Sequence, residues 1–192
     1  MEIYLVRHGR TTQPGTFTGV TDVALSSHGK AQVRRIAPAV VPASIEHCYC
    51  SPLTRCRETV RLLELQCPVT VDEMLREIDF GRWEGLNFAQ VCEQFPDDAA
   101  RWREEQESFT FPLGEQIKTF NTRVRKWFDE LSGRPHQRVL VVAHGGVLRI
   151  GLCALLGVGL EARFGLNFAE AAVTSVSLKD GFPTLEMFNC RG

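Results

Sequence analysis

Residues 3–9, IYLVRHG, decide how this chain folds. The first four, Ile3 to Val6, are β-prone and form a continuous apolar run, which is typical of a strand buried on both faces of a parallel sheet. We therefore predict a central strand. Arg7 and His8 follow at its carboxyl end, and Gly9 would let the backbone turn and approach a ligand. Because open α/β sheets form ligand crevices at that edge, the basic pair predicts one half of a binding site.

Length and composition indicate one globular domain. The 192 residues are 44% hydrophobic and 23% charged, with a formal net charge of −1. We expect a single domain over residues 1–192 that is neither disordered nor a general polyanion binder, so that any anion site is local. Its short apolar runs predict neither a signal peptide nor a membrane span. We expect a cytoplasmic protein without a nucleic-acid or membrane partner, and the sequence leaves its oligomeric state open.

The cysteines favour neither a disulfide framework nor a zinc site. Their number, seven, is odd, and none of them forms a C-x-x-C pair. The stretch His47–Cys50 together with Cys56 leaves a metal site open as an alternative. Alternation in that stretch fits a strand better, with the thiols as small core residues. We therefore expect reduced, structural cysteines, no metal and no cofactor.

Strand-prone and helix-prone segments alternate along the chain. Strands are predicted at residues 46–50, 69–71 and 138–143, with a closing hairpin of 173–178 and 184–188. Helices are predicted over 30–36, ended by Pro38 and Pro42, from Ser51 as N-cap to about 65, twice within 88–107, over 115–131 and over 145–156. The glycine-containing segment 79–87 is predicted to be a loop. This alternation predicts a three-layer α/β/α sandwich with a mostly parallel sheet.

Two further segments carry basic residues suited to an anion. In SPLTRCRET, residues 51–59, Arg55 falls in the first turn of the predicted helix, where a cation opposes the helix dipole unless an anion binds there. In RVLVVAHGGVLR, residues 138–149, His144 follows an apolar strand just as His8 does. Parallel strands would place both imidazoles at one sheet edge. Taken singly, a first-turn arginine or a strand-end histidine is more often a solvated or structural residue.

A fourth segment, LREIDFGRWEG at residues 75–85, offers a carboxyl group. Glu77 has Phe80 and Trp83 as aromatic neighbours, which would desolvate it and suit a proton donor. An acidic loop residue is usually solvated when it is considered alone. That interpretation is kept for the other acidic residues nearby, which are Glu73, Asp79 and Glu84.

These segments resemble, as an ordered set, the signature blocks of the histidine phosphatase superfamily, also called the phosphoglycerate mutase-like family. The blocks are LVRHG at 5–9, SPLTRCRET at 51–59, LREIDFGRWEG at 75–85 and VAHGG at 142–146. The resemblance implies a phosphoglycerate mutase-like fold and a metal-independent phosphatase. It implies that His8 is the nucleophile that becomes phosphorylated and that Glu77 is the proton donor. It also implies three ligands of the phosphoryl group, Arg7, Arg55 and His144.

The chemistry of phosphoryl transfer fits these residue types. Two arginines and a second histidine would donate to the equatorial oxygens without a metal. Arg7 and Arg55 would lower the pKa of His8, while a backbone carbonyl would hold its other ring N–H, so that an unprotonated nitrogen attacks. Glu77 would protonate the leaving alkoxide and then take a proton from the attacking water.

The loop over residues 10–19 departs from the family pattern. The family usually has an acidic residue after Arg-His-Gly and an asparagine a few positions later, where this chain has Arg10 and Pro14. Arg10 is therefore either a phosphate contact or a residue of the rim, and Pro14 lacks a side-chain donor. Thr18 and Gly19 are further candidate phosphate contacts.

A phosphoglycerate mutase and a non-catalytic phosphate-binding module remain alternatives to a phosphatase. Mutases of the family usually carry basic residues that hold a second anionic group, whereas residues 84–115 here contain only Arg101 and Arg103 among many acidic side chains. This region and the residue before it are rich in aromatic residues. Some of them would line a pocket for a nucleoside-like leaving group, while core packing is the expected role for most. They are Trp83, Phe88, Trp102, Phe109 and Phe111.

Two stretches are similar to the α-ribazole phosphatases of cobalamin biosynthesis. They are FGRWEGLNFAQVCEQFP at 80–96 and PLGEQIKTFNTRV at 112–124. Leu113 and Gln116 stand where such proteins often have Gly and Ser. The similarity implies hydrolysis of α-ribazole 5′-phosphate, a small-molecule phosphate ester, and the alternative is a broad-specificity phosphatase for such esters.

Overall fold

A computed structural model of the chain describes residues 1–40 and 44–191. In this part of the chain six strands form one mixed sheet in the order β3-β2-β4-β1-β5-β6. The bounds are β1 Glu2–Arg7, β2 His47–Cys50, β3 Val69–Val71, β4 Arg138–Ala143, β5 Val173–Lys179 and β6 Phe182–Cys190. Strands β1 to β4 are parallel, whereas β5 pairs antiparallel with both β1 and β6. The predicted mostly parallel sheet is confirmed.

Helices cover both faces of the sheet. Their bounds are α1 Ser27–Val40, α2 Thr54–Leu63, α3 Phe88–Gln94, α4 Pro96–Glu105, α5 Ile117–Leu131 and α6 Gly145–Leu156. One core cluster joins α1 and α2 to the sheet, and the other joins it to α3–α6. This arrangement is the predicted three-layer sandwich. Within residues 1–40 and 44–191, every helix is too short or too polar to cross a membrane.

Strand β1 is central, as its apolar run predicts. It pairs with β4 on one side and β5 on the other, and Ile3, Leu5 and Val6 are fully buried. The register aligns Arg7 with Ala143, the last residue of β4. The residues that follow the two strands, His8 and His144, therefore emerge side by side at the carboxyl edge of the sheet.

Three local predictions are wrong. Helix α1 does not end at Pro38 but continues to Val40, because buried Ile36 and Val40 keep its last turn on the core while Pro38 is exposed; Pro42 lies outside the described residues. Helix α2 begins at Thr54, so Ser51 is not its N-cap. Gly9 packs against Gly29 of α1, whose carbonyl a Cβ would hit, and does not approach the ligand edge.

Candidate active site

His8 is held as a neutral imidazole with one free nitrogen. Its Nδ1 lies 2.8 Å from the carbonyl oxygen of Gly9, which can only accept, so Nδ1–H donates and Nε2 keeps its lone pair. Burial, and after it the positive charges of Arg55 and Arg7, lower the pKa of His8 from the usual 6.5 to about 3. The predicted pKa direction and the carbonyl contact are confirmed, with desolvation as the largest cause.

His144 packs against His8 and forms hydrogen bonds with Arg55 and Ser51. The ring centroids are 5.2 Å apart in an edge-to-face arrangement. Arg55 Nε–H donates to His144 Nδ1 at 3.1 Å, and His144 Nε2 lies 2.7 Å from Ser51 Oγ. Since burial and then Arg55 lower the pKa of His144 well below its usual value, Nε2 carries the ring proton and donates it to Ser51. Direct phosphate binding by His144 stays a prediction, because both ring nitrogens have protein partners here.

Arg55 is 1% exposed and lies in the first turn of α2, as predicted. Besides the bond to His144, its Nη1 donates to Thr21 O at 2.9 Å, and its Nη2 donates to Gly19 O at 2.6 Å and Thr18 O at 3.2 Å. Four of the five guanidinium N–H groups are thus used within the protein. The remaining Nη1–H has no acceptor among the described residues, and binding of a phosphoryl oxygen by Arg55 stays a prediction.

The loop that receives Arg55 is held from its other side by Glu84. The carboxylate of Glu84 accepts hydrogen bonds from four backbone amides, those of Gly19, Val20, Thr21 and Phe80, at 3.0–3.2 Å. The interpretation of Glu84 as a solvated residue is therefore wrong. The Gly19 amide donates to Glu84, and the candidate role of Gly19 as a phosphate contact stays a prediction.

Arg7 has more N–H groups without a partner among the described residues than Arg55 has. Its Nη1 donates to Phe168 O at 2.8 Å, while its Nε is buried without a partner among the described residues. Burial lowers the pKa of Arg7, and the negative charges of Glu170 and Glu77 oppose that shift. An anion in front of Arg7 would satisfy the unpaired donor.

The carboxylate of Glu77 is held by two backbone amides, one at the start of α6 and one next to it in the chain. Its Oε2 accepts from the Gly146 amide at 2.9 Å, and its Oε1 from the Ile78 amide at 3.2 Å. A Cβ at residue 146 would clash with the Glu77 carboxylate. Gly146 is thus a site residue that the sequence analysis missed, although the Gly-Gly pair after His144 was a visible signal.

A polar cleft of about 300 Å³ collects most of these groups. It is lined by Arg7, His8, Pro14, Thr18, Arg55, Glu77, Gly145, Gly146, Arg149 and Glu170, among others. The N-terminus of α6 reaches the cleft through its glycines and offers the favourable end of its dipole to an anion. Arg10 is exposed and does not line the cleft. Thr18 lines it, so its candidate role as a phosphate contact stays a prediction.

An apolar cavity of about 410 Å³ adjoins the polar cleft and shares Ile78, Phe80, Phe120, Gly146 and Arg149 with it. Its remaining lining includes Trp102, Arg103, Phe111, Ile150, Arg163 and Phe164. Of the five aromatic residues proposed from sequence, only Trp102 and Phe111 reach this cavity. Trp83 is fully buried in the core and is not the desolvating neighbour of Glu77 that the sequence predicted.

Two of the three arginines that line this cavity, Arg149 and Arg163, lie outside residues 84–115. Arg149 belongs to α6, and its Nε is buried without a partner within the described part of the chain. Arg163 lies beyond α6 and is within 3.4 Å of Glu107. The count of basic residues in 84–115 therefore understated the positive charge near the leaving-group side.

The cysteines of the alternative metal site belong to the core. Cys48, Cys50 and Cys56 are all buried in the cluster that joins α1 and α2 to the sheet. Burial raises the pKa of each thiol, and that of Cys50 to about 12. Buried thiols that stay protonated at neutral pH are unreactive, as is typical of small core residues.

This combination of fold and site defines a class of enzyme. A sequence model of the histidine phosphatase superfamily (branch 1) matches residues 3–191, and the chain belongs to this family. Among its relatives, the adenosylcobalamin/alpha-ribazole phosphatase of Escherichia coli K12 is 28% identical over 196 residues, covering 100% of this chain and 97% of the relative. Phosphoserine phosphatase 1 of Hydrogenobacter thermophilus is 30% identical over 185 residues, covering 94% and 88%.

Solved structures agree with the sequence relatives. The crystal structure of the alpha-ribazole phosphatase from Shigella flexneri matches with a TM-score of 0.91 at 26% identity and covers 100% of this chain and 98% of that one. The predicted family, the phosphoglycerate mutase-like fold and a phosphatase of the histidine phosphatase type are confirmed.

Proposed function

We propose that residues 1–192 are a single cytoplasmic histidine phosphatase domain that hydrolyses a small-molecule phosphate ester through a phosphohistidine at His8. The observation that carries this proposal is the state of His8, whose Nδ1–H is held by the Gly9 carbonyl and whose Nε2 is free in an anion-binding cleft. A pKa of about 3 keeps this nitrogen unprotonated at neutral pH. The nucleophile therefore needs no general base in the first step.

The first step transfers the phosphoryl group to His8. The Nε2 lone pair forms a bond to phosphorus while the bond from phosphorus to the ester oxygen breaks. Arg7 and the free Nη1–H of Arg55 would neutralise the equatorial oxygens, together with the amides at the start of α6. No metal is needed for this charge neutralisation.

Glu77 would serve both steps. In its protonated form it gives its proton to the leaving alkoxide, and as a carboxylate it takes a proton from the water that attacks the phosphohistidine. The second step breaks the bond between nitrogen and phosphorus and releases inorganic phosphate. The anchoring of Glu77 at Gly146, on the helix that borders the cleft, supports this role.

The apolar cavity supports α-ribazole 5′-phosphate as the substrate. The leaving alcohol of this ester carries a flat benzimidazole ring, and the cavity beside the phosphate cleft offers aromatic walls at Phe80, Trp102 and Phe111. Relatives that carry the name alpha-ribazole phosphatase are consistent with this assignment.

A phosphoserine-like substrate is the second candidate. Arg149 lines both cavities, and its buried Nε, unpaired among the described residues, would bind a carboxylate whose carbon lies three bonds from the ester oxygen. The relative named phosphoserine phosphatase 1 is consistent with it. Binding of this substrate would depend on Arg149 more than on the aromatic walls of the apolar cavity.

The chemistry is tested with p-nitrophenyl phosphate in the presence of a chelator. We expect full turnover of the chelated wild-type protein, no turnover of His8→Ala, and ³²P label on His8 when labelled substrate is quenched in alkali. Full activity of purified, folded His8→Ala would overturn the mechanism. Transfer of the label to a phosphoglycerate instead of water would favour the mutase alternative, and binding of phosphate without turnover the non-catalytic module.

The substrate is tested by kcat/KM for α-ribazole 5′-phosphate, phosphoserine, 3-phosphoglycerate, common nucleoside monophosphates and sugar phosphates. We expect a preference for the ribazole ester of more than about tenfold, which is roughly 1.4 kcal/mol of transition-state binding. Trp102→Ala should lower that preference, and Arg149→Met should selectively lower activity on phosphoserine. A preference below tenfold would favour a broad-specificity phosphatase.

A further inference from the structure

Arg123 of helix α5 uses every guanidinium N–H group within the protein. Its Nη1 donates to the carbonyl oxygens of Met74 and Arg76 at 2.8 and 2.9 Å, and its Nη2 to that of Glu77 at 3.2 Å. Its Nε and Nη2 form a bidentate pair with Glu115 at 2.9 and 3.0 Å. These five bonds exhaust its donors, so Arg123 has none left for a substrate.

We propose that Arg123, oriented by Glu115, is a positioning residue for Glu77; this inference rests on the proposed acid and base role of that carboxyl. Three carbonyls within four residues converge on one guanidinium, which fixes the backbone around Glu77. The carboxylate end is fixed independently by the Gly146 and Ile78 amides. A residue held at both ends is ordered before substrate binds, as proton transfer in the transition state requires.

Glu115 is itself well anchored. Its amide donates to Asp79 O at 2.9 Å, and its carbonyl accepts from the Phe111 amide at 3.2 Å. The two segments can approach this closely because both carry a glycine: a Cβ at Gly81 would hit Pro112 O, and one at Gly114 would hit Asp79 O. The 111–115 segment thus connects the start of α5 to the loop that carries Glu77.

Arg123 also lies among several negative charges on one side of Glu77. A cavity of about 380 Å³ on this side of Glu77 is lined by further carboxylates and two arginines. They are Glu73, Asp79 and Glu115, with Arg76 and Arg123. Arg123 and Glu115 are each less than one fifth exposed, so their pairing is screened less than that of a surface ion pair. Loss of the guanidinium would leave three carbonyls and a carboxylate without their partner.

The test compares an alkyl ester, glycerol 2-phosphate, with p-nitrophenyl phosphate, whose leaving group needs little protonation. We expect Arg123→Gln to lower kcat on the alkyl ester at least about tenfold more than on the aryl ester. KM should change little on either, since Arg7 and Arg55 are untouched. Glu115→Gln should shift kcat in the same direction by a smaller factor. Arg125→Gln is the matched control, because Arg125 lies on the same helix and is half exposed beside Asp129.

A double variant decides whether Arg123 acts through Glu77. If it does, Glu77→Gln combined with Arg123→Gln should lose no more activity on the alkyl ester than Glu77→Gln alone. A larger combined loss, or equal losses of Arg123→Gln on both esters, would overturn the positioning role while leaving the acid role of Glu77 in place. Equal losses of Glu77→Gln itself on both esters would overturn the acid role, and the Arg123 inference with it. If Arg123→Gln does not fold, Arg123→Lys is measured in the same way.

Discussion

Two arginines, Arg55 and Arg123, support the two halves of this site in different ways: Arg55 on the side of the nucleophile His8 and Arg123 on the side of Glu77. Arg55, 1% exposed, binds three loop carbonyls and His144, and keeps one N–H free beside the cleft. Arg123, with a side chain 19% exposed, binds three carbonyls and a carboxylate and keeps none.

The difference separates direct from indirect contributions to the reaction. An arginine with a free donor at the cleft can stabilise the transferring phosphoryl group, so its loss should affect every ester alike. An arginine whose donors are all used can act only through the residues it holds. Its loss should therefore follow the chemistry of Glu77, which matters most for poor leaving groups.

Arg55→Lys should impair phosphoryl transfer to His8 and have the largest effect of these variants. Lysine keeps the charge but cannot reproduce the fork that binds His144 and the loop carbonyls. We expect kcat/KM to fall by about 10²–10³ on both alkyl and aryl esters, the range for losing one transition-state donor. Steady-state kinetics with both substrates measure this. A loss confined to the alkyl ester would remove the distinction between the two arginines.

Gly146→Ala should impair proton transfer by Glu77. A methyl group at this position would clash with the Glu77 carboxylate and displace it from the amide that holds it. We expect about a 10–100-fold loss on glycerol 2-phosphate and a much smaller one on p-nitrophenyl phosphate. Gly145→Ala is the control, because a Cβ there has only ordinary contact distances, 3.6 Å or more, to Arg7. Similar losses for both variants would argue against a specific requirement at Gly146.

Glu84→Gln should slow phosphoryl transfer to His8 indirectly, through the loop that binds Arg55. Glutamine keeps one carbonyl oxygen for the four amides that now share a carboxylate, so the loop bound to Arg55 should loosen. We expect kcat/KM to fall by roughly tenfold, equally on both esters, which is about 1.4 kcal/mol. Hydrogen exchange of the 19–21 amides should rise in parallel. Unchanged exchange would contradict the loop-holding role.

The low pKa of His8 makes stability depend on pH. The folded state keeps His8 neutral down to about pH 3, whereas an unfolded histidine binds a proton near pH 6.5. The free energy of unfolding should therefore fall as pH is lowered from about 6.5 towards 3. His8→Asn should show a shallower fall between pH 7 and 5 in urea titrations. If the free energy of unfolding of His8→Asn fell as steeply as that of the wild-type protein, other groups such as His144 would account for the pH dependence.

Leu113→Gly should have the smallest effect and act on stability alone. Leu113 has a φ of +60° and a side chain that is 83% exposed, so its backbone is strained and little packing would be lost. We expect a gain of up to about 1 kcal/mol, reduced by the entropy of an unfolded glycine. Thermal melting measures the gain, with kcat/KM unchanged on both esters. Lower activity would show that the 111–115 segment is more tightly coupled to Glu77 than its contacts indicate.

Much of the fold follows from local patterns. The apolar runs before His8 and His144 predicted β1 and β4, and the pairing of these parallel strands brings the two imidazoles together. The two helices within 88–107 and the closing hairpin also followed from the sequence, and the hairpin turns at Asp180 and Gly181, with φ of +52° and +81°. Such features depend on residues close in the chain, where propensity and periodicity act.

The supports of the site could not be predicted in this way. Glu84 binds amides more than 60 residues earlier, Ser51 reaches a histidine 93 positions away, and Arg123 holds carbonyls about 47 positions before it. Nothing local distinguishes these residues from solvated ones. Ser51 even carried a competing local signal, since Ser-Pro before a helix predicts an N-cap.

The sequence by itself determined the layered fold and the family, and it predicted which residues face the phosphoryl group, because strand ends and helix starts locate these side chains. Only the tertiary structure decided which arginines have free donors, how Glu77 is held, and that an apolar cavity with Arg149 and Arg163 borders the cleft. Those properties arise where separate segments meet. Hydrogen bonds and cavity walls depend on three-dimensional packing, for which a single sequence carries no local pattern.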